Sequence, residues 1–246
     1  MTILVTRPSP AGEQLVARLR KLGYSAYHSP LIEFSPGGEL AQLPSMLARL
    51  RPGDLLFALS RHAVDYADPL LTRRGAGWPQ NLSYYAIGRT TALTLHKVSA
   101  RHVAYPSERE TSESLLQLPE LQYVNGKHAL LLRGNGGREL LGDTLTERGA
   151  KVSYCECYQR CPVHYDGLEQ SRHWQQAGID RLVITSGEML QRIYTLVPDY
   201  YRASWLLDCQ LIVVSERLAI QARQLGWRNI RIADNADNDA LMRALQ

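Results

Sequence analysis

The chain carries one supersecondary series twice, and this repeat limits its possible folds more than any other feature. Residues 3–34 (ILVTRPSPAGEQLVARLRKLGYSAYHSPLIEF) align with residues 129–160 (ALLLRGNGGRELLGDTLTERGAKVSYCECYQR). The offset of 126 puts Arg7 on Arg133, Glu13 on Glu139, Leu15 on Leu141, Leu19 on Leu145 and Gly23 on Gly149. In the same phase Asp54–Ser60 (DLLFALS) meets Asp180–Ser186 (DRLVITS), and one residue later Ala86–Ala92 (AIGRTTA) meets Val213–Ala219 (VVSERLA). Two copies predict two similar lobes, and two lobes predict a cleft between them where a ligand would bind.

With 246 residues, 45% apolar and 21% charged, each copy has enough chain for a globular core. No run approaches the roughly 18 apolar residues of a membrane span, and Met1 leads straight into a strand pattern with no leader signature. A cytoplasmic protein without membrane contact is expected. Cys155, Cys157, Cys161 and Cys209 lack the spacing of a zinc or redox site and read as small buried thiols. The seven histidines are dispersed without metal or triad spacing, so no metal site is expected. Of the 28 basic residues only four are lysine. The planar fork of arginine suits carboxylate or phosphate ligands, although a compositional bias of the source would look the same. The basic residues lack the aromatic interleaving of a nucleic-acid groove.

Short apolar runs alternate with stretches of helical spacing throughout. Ile3 to Thr6 is followed by Leu15, Leu19 and Leu22, with Gly23 placed to close a helix. Further helices are expected over Leu43–Leu50, His62–Leu71, Thr90–His96 and Ser112–Leu118, and in the second copy over Glu139–Arg148, Glu188–Leu196, Leu218–Leu225 and Asn238–Leu245. This is the pattern of an α/β protein with parallel sheets covered by helices, about five strands to each lobe, wound in the flavodoxin-like manner. Two extended segments, Tyr27–Pro36 and Val152–His164, outrun an ordinary strand of about five or six residues at the same place in both copies. They are candidate crossings between lobes. A division into two sequential lobes near Pro119–Gly126 fits the pattern as well.

Ligands of open parallel sheets bind beyond the carboxyl ends of the strands. There the sequence places Thr6-Arg7, Ser60, Gly88-Arg89-Thr90-Thr91, Arg133-Gly134-Asn135-Gly136-Gly137, Thr185-Ser186-Gly187 and Ser215-Glu216-Arg217. Such loops offer backbone N–H groups and hydroxyls to an anion. Ser and Thr also open helices as ordinary caps, and the argument for a site is that the same choice recurs at equivalent tips. Arg7 and Arg133 are candidates from the repeat, with a structural ion pair as the alternative. The run Gly134–Glu139 hints at a dinucleotide loop but lacks the third glycine. Tyr158, on the second crossing, is either a half-buried tyrosine or a weak acid at the cleft mouth.

Taken together, Leu4–Pro8 (LVTRP), Pro30–Phe34 (PLIEF), Ala86–Ala92 (AIGRTTA), Leu132–Gly137 (LRGNGG), Cys157–Arg160 (CYQR) and Thr185-Ser186-Gly187 make the chain resemble the uroporphyrinogen-III synthases, in particular the enterobacterial type. The resemblance runs over nearly the whole chain. It implies a cofactor-free lyase of tetrapyrrole biosynthesis that cyclises hydroxymethylbilane with loss of water and inversion of ring D. It implies a crossed arrangement, with residues 1–35 and 163–246 in one lobe and 36–162 in the other, joined by a two-stranded β-ladder. By resemblance Tyr158 matches a tyrosine that assists departure of the hydroxyl, and Ser60, Thr91, Thr185, Ser186 and Ser215 match positions that contact substrate, largely through the backbone. The chain departs from the family at Ser215-Glu216-Arg217, where threonine is frequent. A monomer is expected, touching the preceding pathway enzyme only transiently. The competing classes are a non-catalytic binding protein for a small polyanion and a nicotinamide-dependent oxidoreductase.

Overall fold

The computed structural model describes residues 1–246. In chain order the elements are β1 (Thr2–Val5), α1 (Ala11–Lys21), β2 (Ser25–His28), β3 (Ile32–Pro36), α2 (Leu43–Ala48), β4 (Leu55–Ala58), α3 (Arg61–Arg73), β5 (Ser83–Ala86), α4 (Arg89–Ser99), β6 (Val103–Ala104), α5 (Ser112–Leu115) and β7 (His128–Gly134). They continue with α6 (Leu140–Glu147), β8 (Lys151–Pro162), α7 (Gly167–Gln176), β9 (Arg181–Val183), α8 (Gly187–Leu196), α9 (Asp199–Ser204), β10 (Gln210–Val213), α10 (Glu216–Gln224), β11 (Ile230–Ile232) and α11 (Asn238–Leu245). No helix is long and apolar enough to cross a membrane.

The strands form two sheets, ordered β2-β1-β9-β10-β11 and β3-β8-β7-β4-β5-β6. Neighbours from β1 to β11 in the first sheet and from β4 to β8 in the second pair in parallel. Counted from β1 in one and β7 in the other, the five strands β2-β1-β9-β10-β11 and the five strands β8-β7-β4-β5-β6 both follow the order 2-1-3-4-5, that of flavodoxin-like winding, and β3 is added beside β8. In each of these five-strand runs the first two strands come from one copy of the repeat and the next three from the other. The chain divides into two compact units, Met1–Phe34 with Cys161–Gln246, and Ser35–Arg160. Neither unit begins or ends at Pro119–Gly126.

Burial on both faces explains why the strands are nearly all apolar. In the first sheet Ile3, Val5, Val183 and Ile212 face α1 and α11 in one cluster, while Leu4, Leu182, Leu211 and Val213 join Trp174, Trp205 and Trp227 in the other. In the second, Leu55, Phe57, Ala129 and Leu131 pack with Leu141 and Leu145 of α6. Gly23 and Gly149, the matched helix-closing glycines, have φ of 85° and 88°, a conformation that excludes most other residues.

The repeat also supplies a matched pair of clamps. Asp54 is buried and accepts hydrogen bonds from the N–H groups of Arg51 (2.7 Å) and His128 (2.8 Å). Its counterpart Asp180 accepts from the N–H of Thr2 at 2.8 Å. Each aspartate thus pins the opening of the other copy's first strand. Asp54→Ala orphans two backbone donors and is expected to cost about 2–4 kcal/mol. Asp180, whose side chain is 56% exposed, should cost under about 1 kcal/mol because water replaces it. Urea midpoints of the two variants check the difference.

Four expectations need correction. Tyr27–Pro36 is not one strand: the chain breaks at Ser29–Leu31, where Ser29 and Leu31 donate to the carbonyls of Val5 and Thr6, and Pro30 has no N–H for a ladder. Its two parts, β2 and β3, belong to different sheets, so the second sheet has six strands rather than five. Helix α7 lies outside the expected pattern, because only Ser171 and Trp174 are buried in an otherwise polar stretch; α9, which buries nothing, lies outside it for the same reason. The helix expected over Ser112–Leu118 stops at Leu115.

Candidate active site

The β-bulge opposite the end of β7 organises a cavity. Arg133 pairs with Glu156 but Gly134 pairs with Tyr158, so Cys157 is the extra residue, and the Tyr158 ring comes to lie over Gly134. A Cβ on Gly134 would sit 2.6–3.0 Å from three atoms of that ring, so only glycine fits beneath it. Helix α3 supplies two further walls of the ring's niche. His62 tilts against Tyr158 with centroids 5.6 Å apart, and Tyr66, one turn on, stacks at 6.1 Å. Tyr158 is 4% exposed.

Ser60, which opens α3, ties this niche to the tip of β4. Its hydroxyl oxygen accepts from the N–H of Ala63 at 3.2 Å as a helix cap, and its O–H donates to the Tyr158 hydroxyl at 2.9 Å. A donor aimed at a phenol oxygen stabilises that oxygen as its own proton departs. Burial is the main reason His62 titrates below its ordinary value; Asp65 opposes the shift, while Arg160 and Arg61 add to it.

The cavity measures about 270 Å³ and includes Ser60, Arg133, Gly134, Asn135 and Tyr158 in its lining. The sequence anticipated these five. It did not anticipate Arg138 and Arg160, which complete the cationic wall. The arginines differ in what holds them. Arg133 is paired with Glu139 at 2.9 Å and lies over the Tyr154 ring, 4.0 Å from its centroid, so it is a structural ion pair and a wall residue at once. The hydrogen bond from Arg133 also holds the Glu139 carboxyl below its ordinary range. Arg138 is paired with Glu113.

The other candidates lie at strand tips but outside this cavity. Gly88, Thr90 and Thr91 follow β5 in the same unit, with Thr91 buried and Thr90 exposed. Helix α4 has no hydroxyl cap; the Glu110 carboxylate accepts from the N–H of Arg89 at 2.8 Å instead, packed where a Cβ on Gly88 would be. Arg7, Thr185, Ser186 and Ser215 belong to the other unit, at the tips of β1, β9 and β10. Ser186 and Ser215 cap α8 and α10 through the N–H groups of Met189 and Leu218. Thr185 directs its hydroxyl at the Met189 sulfur, 3.5 Å away. Arg7 donates to Asn238 at 2.7 Å, and burial lowers its guanidinium below the ordinary value against the pull of Asp237. The thiol of Cys157 is pushed upward, by its contact with Cys155 and then by burial, which makes it a poor nucleophile. No group of three or more His, Cys, Asp or Glu side chains is placed to hold a metal ion.

Parallel sheets with helix-opening hydroxyls at their strand tips, and in one unit an arginine-walled cavity around a buried phenol, define an α/β protein with a candidate site beyond its strand ends. A family model described as "Uroporphyrinogen-III synthase HemD" matches residues 13–243. Over the full length of both chains the sequence is 63% identical to the uroporphyrinogen-III synthase of Escherichia coli (strain K12). It is 49% identical to that of Proteus mirabilis over 193 residues, covering 78% of this chain and 97% of the relative. Among solved structures, a mutant uroporphyrinogen III synthase of Thermus thermophilus shares the fold with a TM-score of 0.65 and 19% identity, covering 100% of this chain and 99% of that one. The Helicobacter pylori 26695 enzyme does so at 0.59 and 19%, with the same coverage. The chain belongs to the uroporphyrinogen-III synthase family and is a cyclising lyase of tetrapyrrole biosynthesis.

Proposed function

We propose that the chain converts hydroxymethylbilane to uroporphyrinogen III with Tyr158 as the acid. The hydroxyl of the substrate leaves as water, taking the phenolic proton, and an electrophilic methylene remains. Left alone, that methylene closes on the free, unsubstituted carbon of ring D and gives the uninverted isomer. Inversion of ring D requires attack by the substituted carbon instead, through a spiro intermediate. A hundredfold preference for that route needs only about 2.7 kcal/mol of differential stabilisation, which holding the chain folded can supply. The observation that carries the assignment is the Ser60–Tyr158 hydrogen bond at the cavity wall. The strand-tip residues Arg7, Ser60, Gly88, Thr90, Thr91, Arg133, Gly134, Asn135, Thr185, Ser186 and Ser215 are read as the substrate's other contacts.

The reading includes two flavodoxin-like lobes, 1–35 with 163–246 and 36–162, joined by a two-stranded ladder, with a cleft between them. It also includes a cytoplasmic, cofactor-free monomer that meets the preceding pathway enzyme only in passing. The exchange of strands between copies and the matched strand orders support this division.

Incubating the purified chain with hydroxymethylbilane and separating the product isomers tests the function: an isomer ratio equal to that without protein overturns it. Ser60→Ala removes the donor to the phenol and the cap of α3 together. Turnover is expected to fall roughly fivefold, the equivalent of one neutral hydrogen bond, with about 1 kcal/mol lost in stability. Steady-state kinetics and thermal melting check the two effects separately.

A further inference from the structure

Arg160 lines the same cavity as Tyr158, two residues further along β8. Its neighbours Arg133 and Arg138 are committed to Glu139 and Glu113, whereas Arg160 takes part in none of the chain's ion pairs. Its backbone, by contrast, is held firmly. The N–H of Arg160 donates to Asn135 Oδ1 at 2.7 Å, and its carbonyl accepts from Asn135 Nδ2 at 3.4 Å. The N–H of Asn135 donates to the Tyr158 carbonyl at 3.1 Å. With its amide side chain Asn135 thus imitates a further strand residue, and three bonds from this one residue fix Tyr158–Arg160 just past the bulge.

We infer that Arg160 is a carboxylate anchor for the substrate's reacting end beside Tyr158, and that Asn135 is the positioning residue that sets both. The inference deepens, and rests on, the reading of hydroxymethylbilane as substrate. At about 270 Å³ the cavity falls just short of the roughly 300–1,000 Å³ of pockets that enclose a whole ligand, so it takes one end of a linear tetrapyrrole. That end carries carboxylates, and a guanidinium fork binds a carboxylate at two points. Arg160 breaks no internal pair to do so. Its charge already reaches the niche, since it contributes to the lowered titration of His62 against the Tyr158 ring. A carboxylate gripped two residues from the acid restricts how the hydroxyl-bearing end can turn. The signal in the sequence was an arginine two residues after the tyrosine, on the same strand face, but its freedom from ion pairing emerges only in three dimensions.

The test is steady-state kinetics of the purified full chain on hydroxymethylbilane, with product isomers separated, for wild type, Arg160→Ala, Arg160→Lys and Asn135→Ala. Arg160→Ala is expected to raise KM about tenfold, the equivalent of one charged hydrogen-bonded contact. Arg160→Lys should recover part of this, because it restores the charge without the fork. Asn135→Ala should raise KM and lower kcat together, because anchor and acid move at once. A wild-type KM in Arg160→Ala overturns the anchor, and wild-type kcat and KM in Asn135→Ala overturn the positioning role. If wild type itself leaves the isomer ratio unchanged, the substrate reading has failed, and the inference with it.

Discussion

Tyr158→Phe is expected to lower turnover by about ten- to a hundredfold, the low end of what a positioned acid contributes, and to leave the protein folded. The ring stays in its niche between His62, Tyr66 and Gly134, so packing survives. What disappears is the hydroxyl, the proton it gives to the departing group, and the bond from Ser60. Losing that bond costs about 0.5–1.5 kcal/mol, which thermal melting would register as a small shift. Undiminished turnover in a folded variant would remove Tyr158 from the chemistry.

Gly134→Ala should be at least as damaging to activity, by a different route. The added methyl would lie 2.6 Å from Cζ of Tyr158 and 2.8 and 3.0 Å from two further ring atoms. The ring cannot simply retreat, because it is 4% exposed and α3 packs against it. Either the end of β7 or the phenol must move. Overpacking of this kind costs about 1–3 kcal/mol, and a displaced acid loses its rate contribution too. Turnover is expected to fall by roughly a hundredfold, with a lower melting temperature. In the background of Tyr158→Ala, where the ring is gone, Gly134→Ala should be nearly neutral for stability. Such non-additivity is the mark of two groups competing for one space. Simple addition of the two stability losses would show that Gly134 serves something other than the ring.

The alternation of strands and helices, the parallel sheets and the matched glycines were legible because each rests on local periodicity or on a single φ. The break at Pro30 carried a local signal too, the missing N–H, but its effect depends on Ser29 and Leu31 finding carbonyls of β1 and the residue after it. Helix α7 was illegible because its buried face amounts to one serine and one tryptophan. At the site, Ser60, Arg133, Gly134, Asn135 and Tyr158 could be gathered from their places at strand ends. The bulge that sets Tyr158 over Gly134 could not, since nothing in the local sequence marks Cys157 as the extra residue. The role of Glu110 as a remote helix cap was hidden as well, because it depends on a fold-back from 21 residues away.

The exchange of strands has a consequence for how the molecule comes into being. β1 pairs with β9, and the O–H of Thr6 reaches the carbonyl of Val183 across a sequence separation of 177 residues. A nascent chain cannot complete either sheet from its first half alone: β1 and β2 must wait for β9, and β4 for β7. Closure over such distances is slow and leaves bare strand edges in the interval. For the same reason, cutting the chain between its copies gives two fragments with unmatched edges, which can restore the native sheets only by recombining with one another.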